Sequence, residues 1–236
     1  MRATPRYAIS RSVTPAPADD LATHAPSATR HDLQLGRRLF HLANGVTIAT
    51  AYALLFTHEQ VVHVFGAVAC LVYIVDRFRI AYPDVVSRHV PWVNRLFVRA
   101  EEQVRESAMT PFAIAVLLTI LAVPKLAALI AIYTLAIGDP LAAVVGIRFG
   151  RHRIAHNRSL EGTLAFFAAT VAIAVGVLHW GTNATPGALI GIGAGVGLVA
   201  MALELVPVKV DDNLTIPIVV GLAAWGIAWI AGVPLT

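Results

Sequence analysis

From residue 34 onward the chain alternates long apolar stretches with short polar ones. The apolar runs cover roughly 39–56, 60–75, 109–123, 126–147, 160–179, 186–206 and 214–233. Each approaches the ~20 residues with which an α-helix crosses a bilayer, the second and third falling short of the rest. The runs are continuous and nearly free of charge, which favours helices over barrel strands. In hydrocarbon every backbone N–H and C=O must be satisfied internally. The pattern predicts an all-α fold, a polytopic transmembrane helix bundle of about seven spans over residues 31–236. Residues 1–30 are different: rich in Ala, Pro, Ser and Thr, without apolar periodicity. They lack the apolar core of a secretory signal, and Asp19 and Asp20 argue against a transit peptide. They read as a disordered tail.

Composition agrees with the pattern. The 236 residues are 57% hydrophobic and 14% charged, against about 45–50% and about 25% for a soluble domain. A charge of +4 and a pI near 9.6 would suit a nucleic-acid partner. The basic residues instead flank the apolar runs, where anionic headgroups account for them, so no nucleic acid is expected. The single cysteine, Cys70, can form neither an internal disulfide nor a Cys-rich zinc site. Charge placement also orients the bundle. Of the 18 Lys and Arg, all but Lys125 fall before the first run or in the loops after the second, fourth and sixth runs. The positive-inside rule then puts the N-terminus in the cytoplasm and the C-terminus outside.

Polar groups within spans are costly, so chemistry is sought there first. Asp139 lies in the fourth run between Gly138 and Pro140, nine residues before Arg148. Helical rise would put it about 13 Å below the inner surface. Pro140 removes a backbone donor, so a kink or break is expected there. A carboxylate at such a break suits a hard cation; a salt bridge to a loop arginine is the bland alternative. Next comes a basic loop with Arg148, Arg151, His152, Arg153, His156, Arg158 and Ser159, running into the fifth span at Glu161 and Gly162. A helix N-terminus and arginine forks together make an anion site, although basic inner loops are also simply a topology signal. His152 and His156 have metal-binding spacing on a helix, but here lie in a loop. A third cluster holds Glu204, Asp211, Asp212 and Asn213, readable as metal ligands or as a helix cap. Arg37, Arg38 and His41 open the first run on one helix face, as a binding element or a snorkelling flank. Gly187, Gly191 and Gly195 recur at four-residue spacing. Packing within one subunit explains them, with a homodimer face as the alternative.

Taken in order, these elements resemble those of the CTP-dependent polyprenol, phytol and diacylglycerol kinases, the dolichol kinase-like group distantly related to phosphatidate cytidylyltransferases. Arg38-Leu-Phe-His41 is similar to that family's Arg-Lys-x-x-His. Gly138-Asp139 with Ala142 or Ala143, Gly146 and Gly150 resembles its Gly-Asp element, and Arg158-Ser159-Leu160-Glu161-Gly162 its Lys-Ser-x-Glu-Gly. Glu204 with Asp212, Asn213, Ile216 and Pro217 resembles the last element. Arg37-Arg38 and Arg158 depart from the family's lysines, and arginine is not an equivalent phosphate donor.

The resemblance implies a membrane enzyme that moves the γ-phosphate of CTP, with Mg²⁺, to a lipid alcohol at the cytoplasmic face. It implies Asp139, Asp212 and His41 as catalytic residues, and Asp139, Asp212, Asn213 and Glu204 around the metal. Arg38, Arg148, Arg158, Ser159, Glu161 and Gly162, with the fifth span's first amides, would hold the nucleotide. The alternatives are a cytidylyltransferase making a CDP-lipid and, less in keeping with the apolar spans, a small transporter.

Overall fold

A computed structural model describes residues 35–90, 109–154, 158–206 and 212–235. The expected tail, His156 and Asp211 lie outside the described residues, as do the side chains of Arg37, Arg38, His41 and Asp212. Residues 34–236 form one compact unit. The helices are α1 (Leu35–Leu55), α2 (His58–Ala81), α3 (Pro83–His89), α4 (Met109–Ala122), α5 (Lys125–Tyr133), α6 (Asp139–Phe149), α7 (Leu160–Gly181), α8 (Pro186–Leu205) and α9 (Asp212–Ile230). A π-helical turn, Thr134–Gly138, joins α5 to α6 without a break. Among the described residues there is no strand, only a single Arg153–Ser159 bridge.

Five helical stretches are long and apolar enough to cross a membrane: His58–Ala81, Lys125–Phe149, Leu160–Gly181, Pro186–Leu205 and Asn213–Ile230. Leu42–Leu55 and Met109–Ala122 are apolar but shorter. All seven expected runs are therefore helical, while five meet the crossing length. Helix α2 runs six residues past the expected end at 75 because Asp76 and Arg79 are paired inside it.

The central element is Lys125–Phe149, and every residue from Leu126 to Ile132 is buried. The π turn touches α1, α7 and α9, and α2 lies outside, against α4. Pro140 explains the π turn. A proline in a regular helix clashes with the carbonyl four residues back, here Ala136. Widening the preceding turn to i→i+5 spacing moves that carbonyl away and keeps the helix continuous. The expected break is thus a bulge.

The bundle has two ends. At the loop end α6 passes into α7 and α8 towards α9; at the far end α1 turns into α2 and α4 into α5. Lys125 closes the far end, its Nζ donating to the carbonyls of Ala53 (3.2 Å) and Phe56 (2.9 Å) at the end of α1. Thr57 caps α2 through a reciprocal pair with Gln60.

Candidate functional site

The sequence-derived polar residues gather at the loop end, and three close contacts fix their depths. Gly45 of α1 lies against Ala136, where a Cβ would stand 2.5 Å from the alanine methyl. Gly138 lies under Phe166 of α7, at 2.9 Å, and Gly221 of α9 lies 3.4 Å from the Ala131 methyl. Helices α1, α7 and α9 each run antiparallel to Lys125–Phe149. Eight residues separate Gly221 from Asn213, and eight separate Ala131 from Asp139, so both travel about 12 Å towards the loop end. Asp139 and the start of α9 therefore share one depth. By the same reckoning the His41 backbone lies one turn beyond Gly45, about 6 Å nearer the loop end.

Helix α6 meets α7 without side chains between them. A Cβ on Gly162 would stand 2.8 Å from the Ala142 carbonyl and 3.2 Å from the Gly146 Cα. Gly146 and Gly150 face Ser159, with 2.9 and 2.7 Å between their Cβ positions and its Oγ. The glycines of the Gly-Asp element are thus spaced to admit the start of α7. Ser159 caps that helix, its Oγ accepting from the Gly162 N–H at 3.1 Å.

The basic loop folds back on itself. Ile154 N–H donates to the Arg158 carbonyl and Leu160 N–H to the His152 carbonyl, both at 2.9 Å. Glu161 accepts from the His152 backbone N–H, and its Oε1 lies 2.8 Å from His152 Nδ1. The first amides of this helix, expected to face phosphate, have partners within the loop. The N–H of Leu160 bonds His152, that of Gly162 bonds Ser159 Oγ, and that of Thr163 bonds the Ser159 carbonyl. The helix offers its dipole, but these three donors are engaged.

Arg158 and Glu204 also meet, which the sequence could not show across 46 positions. The Arg158 Nη1 lies 3.2 Å from Oε1 of Glu204, whose side chain is only 5% exposed. Glu204 thus stands as the partner of an arginine. Arg148, Arg151 and Arg153 are exposed along the same end. Among the described residues no three His, Cys, Asp or Glu side chains converge as a ready metal site. The Asp212 side chain, one of the expected ligands, lies outside that description.

One polar cluster was missed. Near the loop end of α2, Asp76 and Arg79 are 5% and 3% exposed. Arg79 donates to Asp76 Oδ1 from Nε (3.2 Å) and Nη2 (2.8 Å), and Thr110 of α4 donates to Oδ2 at 2.9 Å. The signal in the sequence is the three-residue spacing of opposite charges at the end of an apolar run, and Arg79, expected in the loop, lies inside α2.

Known proteins add two similarities. The chain is 28% identical over 194 residues to an uncharacterized protein of Methanocaldococcus jannaschii, covering 79% of this chain and 90% of that one. It is 38% identical over 101 residues to a phytol kinase of Synechocystis sp.. That match takes in 42% of this chain and 43% of the kinase. No family model and no solved structure matches. The described residues are thus all-helical, five of their helices are long and apolar enough to cross a membrane, and part of the chain is similar to a phytol kinase.

Proposed function

We propose that this protein is a lipid-alcohol kinase embedded in the membrane by several spans, with its loop end and N-terminus in the cytoplasm and its C-terminus outside. It would transfer the γ-phosphate of a nucleotide, CTP in our reading, to the hydroxyl of a polyprenol, phytol or diacylglycerol. The observation that carries this reading is the partial similarity to phytol kinase. The gathering of the Gly-Asp element, the Ser159 turn and the start of α9 at one end of the bundle is consistent with it.

The chemistry needs little from the protein beyond position and charge. The alcohol oxygen forms a bond to the γ-phosphorus while the bond from that phosphorus to the bridging oxygen breaks. The nucleoside diphosphate leaves with the electron pair, and the hydroxyl proton passes through the carboxylates of the site to water. Arg158, fixed by Glu204, and the exposed Arg148 hold triphosphate oxygens. Arg38 and His41 approach from the first helix. Oxygen donors at one depth, Asp139 with Asp212 and Asn213, fit Mg²⁺, which binds through few carboxylates and substrate phosphates. When bound, the ion would neutralise charge on the transferring phosphoryl group.

The test is a paired label. Purified protein in lipid nanodiscs is given phytol and CTP labelled at either the α or the γ phosphorus. Label from γ alone in the lipid product supports the kinase. Label from α in the lipid would show nucleotidyl transfer instead, and none from either would remove the proposal.

A further inference from the structure

A notch opens on the side of the bundle between α1 and α7, with α5 as its floor. Its volume is about 220 Å³, and it is lined by Thr50 and Leu54 of α1, Leu129 and Tyr133 of α5, and Gly176 and Trp180 of α7. Helices α1 and α7 both pack on Lys125–Tyr133, and the notch is the gap they leave. Its surface suits hydrocarbon. The Thr50 and Tyr133 hydroxyls bond each other at 2.9 Å, so the polarity of the lining is turned on itself. Gly176 supplies the room. A Cβ there would meet nothing within 4 Å, whereas at Gly138 and Gly162 the packing itself demands glycine. A glycine inside a helix costs about 0.5–1 kcal/mol relative to alanine, and no neighbour in the protein requires this one.

Depth relates the notch to the candidate site. Helices α1 and α7 both start at the loop end and run towards the far end, so the seam between them leads from the level of Asp139 to the notch. At helical rise, Tyr133 lies about 9 Å and Leu129 about 15 Å beyond Asp139. Gly138 packs under Phe166, which puts Gly176 about 15 Å and Trp180 about 21 Å beyond that level. Lys125–Phe149 and Leu160–Gly181, which form two of the walls, are long and apolar enough to cross a membrane.

We propose that this notch seats the far part of the acceptor alcohol's hydrocarbon chain while its hydroxyl stays level with Asp139. This rests on the lipid-kinase reading above. Length supports the match. A staggered chain advances about 1.25 Å per carbon, so the main chain of phytol, about 16 carbons, spans about 20 Å from hydroxyl to tip. It therefore ends beside Trp180. Geraniol, with about 8 carbons in its main chain, stops after about 10 Å, at the near rim. A chain already in lipid gains no hydrophobic energy by entering the notch. What it gains is alignment, which holds the hydroxyl at the reacting end.

The experiment fills the notch with Gly176→Leu, in the full chain in nanodiscs. Gly226→Leu, on the exposed face of α9 with nothing within 4 Å of the Cβ position, is the control. In Gly176→Leu the kcat/KM for phytol should fall about tenfold, with that for geraniol and the KM for CTP within about twofold of wild type. Melting temperature should stay level or rise, because leucine is the better helix former and has open space. Gly226→Leu should behave as wild type throughout. An unchanged phytol kcat/KM in Gly176→Leu overturns the inference. So does an equal loss on geraniol, the same loss in Gly226→Leu, or a clear fall in melting temperature. If wild type phosphorylates no alcohol, the kinase reading fails and the notch is tested by binding. A phytol analogue with a diazirine at its chain tip should then label residues around Trp180, and excess phytol should suppress that label. Labelling spread over all helices, or not suppressed by phytol, would mean bulk lipid. No label at the notch would mean that it is closed or covered by a second copy of the chain. Either result overturns the inference.

Discussion

Two ion pairs at the residue scale differ in what they do for the protein. The Arg158–Glu204 pair is partly exposed on its arginine side and joins α8 to the turn before α7. Glu204 is 5% exposed but Arg158 is 31% exposed, so once Glu204 is neutralised water can solvate the guanidinium. In our proposal the pair orients Arg158 towards the nucleotide, so Glu204→Gln should leave the melting temperature within about 2 °C of wild type while weakening nucleotide binding. A nucleotide KM unchanged in Glu204→Gln would show that the orientation is immaterial. The Asp76–Arg79–Thr110 network is buried and has no such latitude. Asp76→Ala would take from Arg79 and Thr110 the carboxylate they both bond, and losing one partner of a buried pair costs roughly 3–5 kcal/mol. Thermal unfolding in detergent should show this as a large drop, with the double variant Asp76→Ala/Arg79→Met recovering much of it. A single variant as stable as wild type would mean the pair is hydrated and idle.

Among the elements, the contact of α6 with α7 is the one the site depends on. Its glycines let two backbones approach, and a single methyl on Gly162 meets a carbonyl at 2.8 Å and a Cα at 3.2 Å. Neither can swing away as a side chain tip can. Gly162→Ala should therefore separate the helices, at a cost of about 1–3 kcal/mol, and move Ser159 away from Gly146. Gly226→Ala in α9, where nothing lies within 4 Å of the Cβ position, is the matched control and should be silent. Equal melting temperatures for the two variants would refute the close-packing account. These contacts show what the sequence made legible. Apolar runs located every long helix but not the short α3, and Gly146, Gly150, Gly162 and Ser159 stood out as a set. That Ser159 would use its hydroxyl on Gly162, and that the Leu160 and Thr163 amides would bond within the loop, was not readable. Those bonds depend on how the loop closes, a three-dimensional event that no local spacing encodes. The π turn was hidden for a related reason. Pro140 announced a disturbance, but whether a helix breaks or widens depends on whether Ala136 is held by neighbours, here Gly45 of α1. The glycine series of α8 shows the same dependence on neighbours. Gly193 and Gly197 pack on α7 and Gly195 on Ile227 of α9, while Gly187 and Gly191 meet open space.

For the whole molecule, the account is of a bundle whose two ends differ. The loop end collects arginines, Asp139 and the start of α9, and the far end carries Lys125 tied to the carbonyls of α1. Orientation follows in our proposal from where the positive charge lies. Single cysteines placed at Arg151 and at Asn183 in a Cys70→Ser background should label from the cytoplasmic and the external side respectively. Reversed labelling would put the proposed site out of reach of cytoplasmic nucleotide. The central claim is that phosphate is transferred to a lipid alcohol beside Asp139, and one comparison tests it directly. Purified wild type and Asp139→Asn are assayed side by side for γ-phosphate transfer from CTP to phytol, with melting curves recorded for both. Wild type should form phytyl phosphate, and Asp139→Asn should be slower by about 100-fold or more at an unchanged melting temperature. Equal rates from the two proteins, or no product from wild type, would contradict the account.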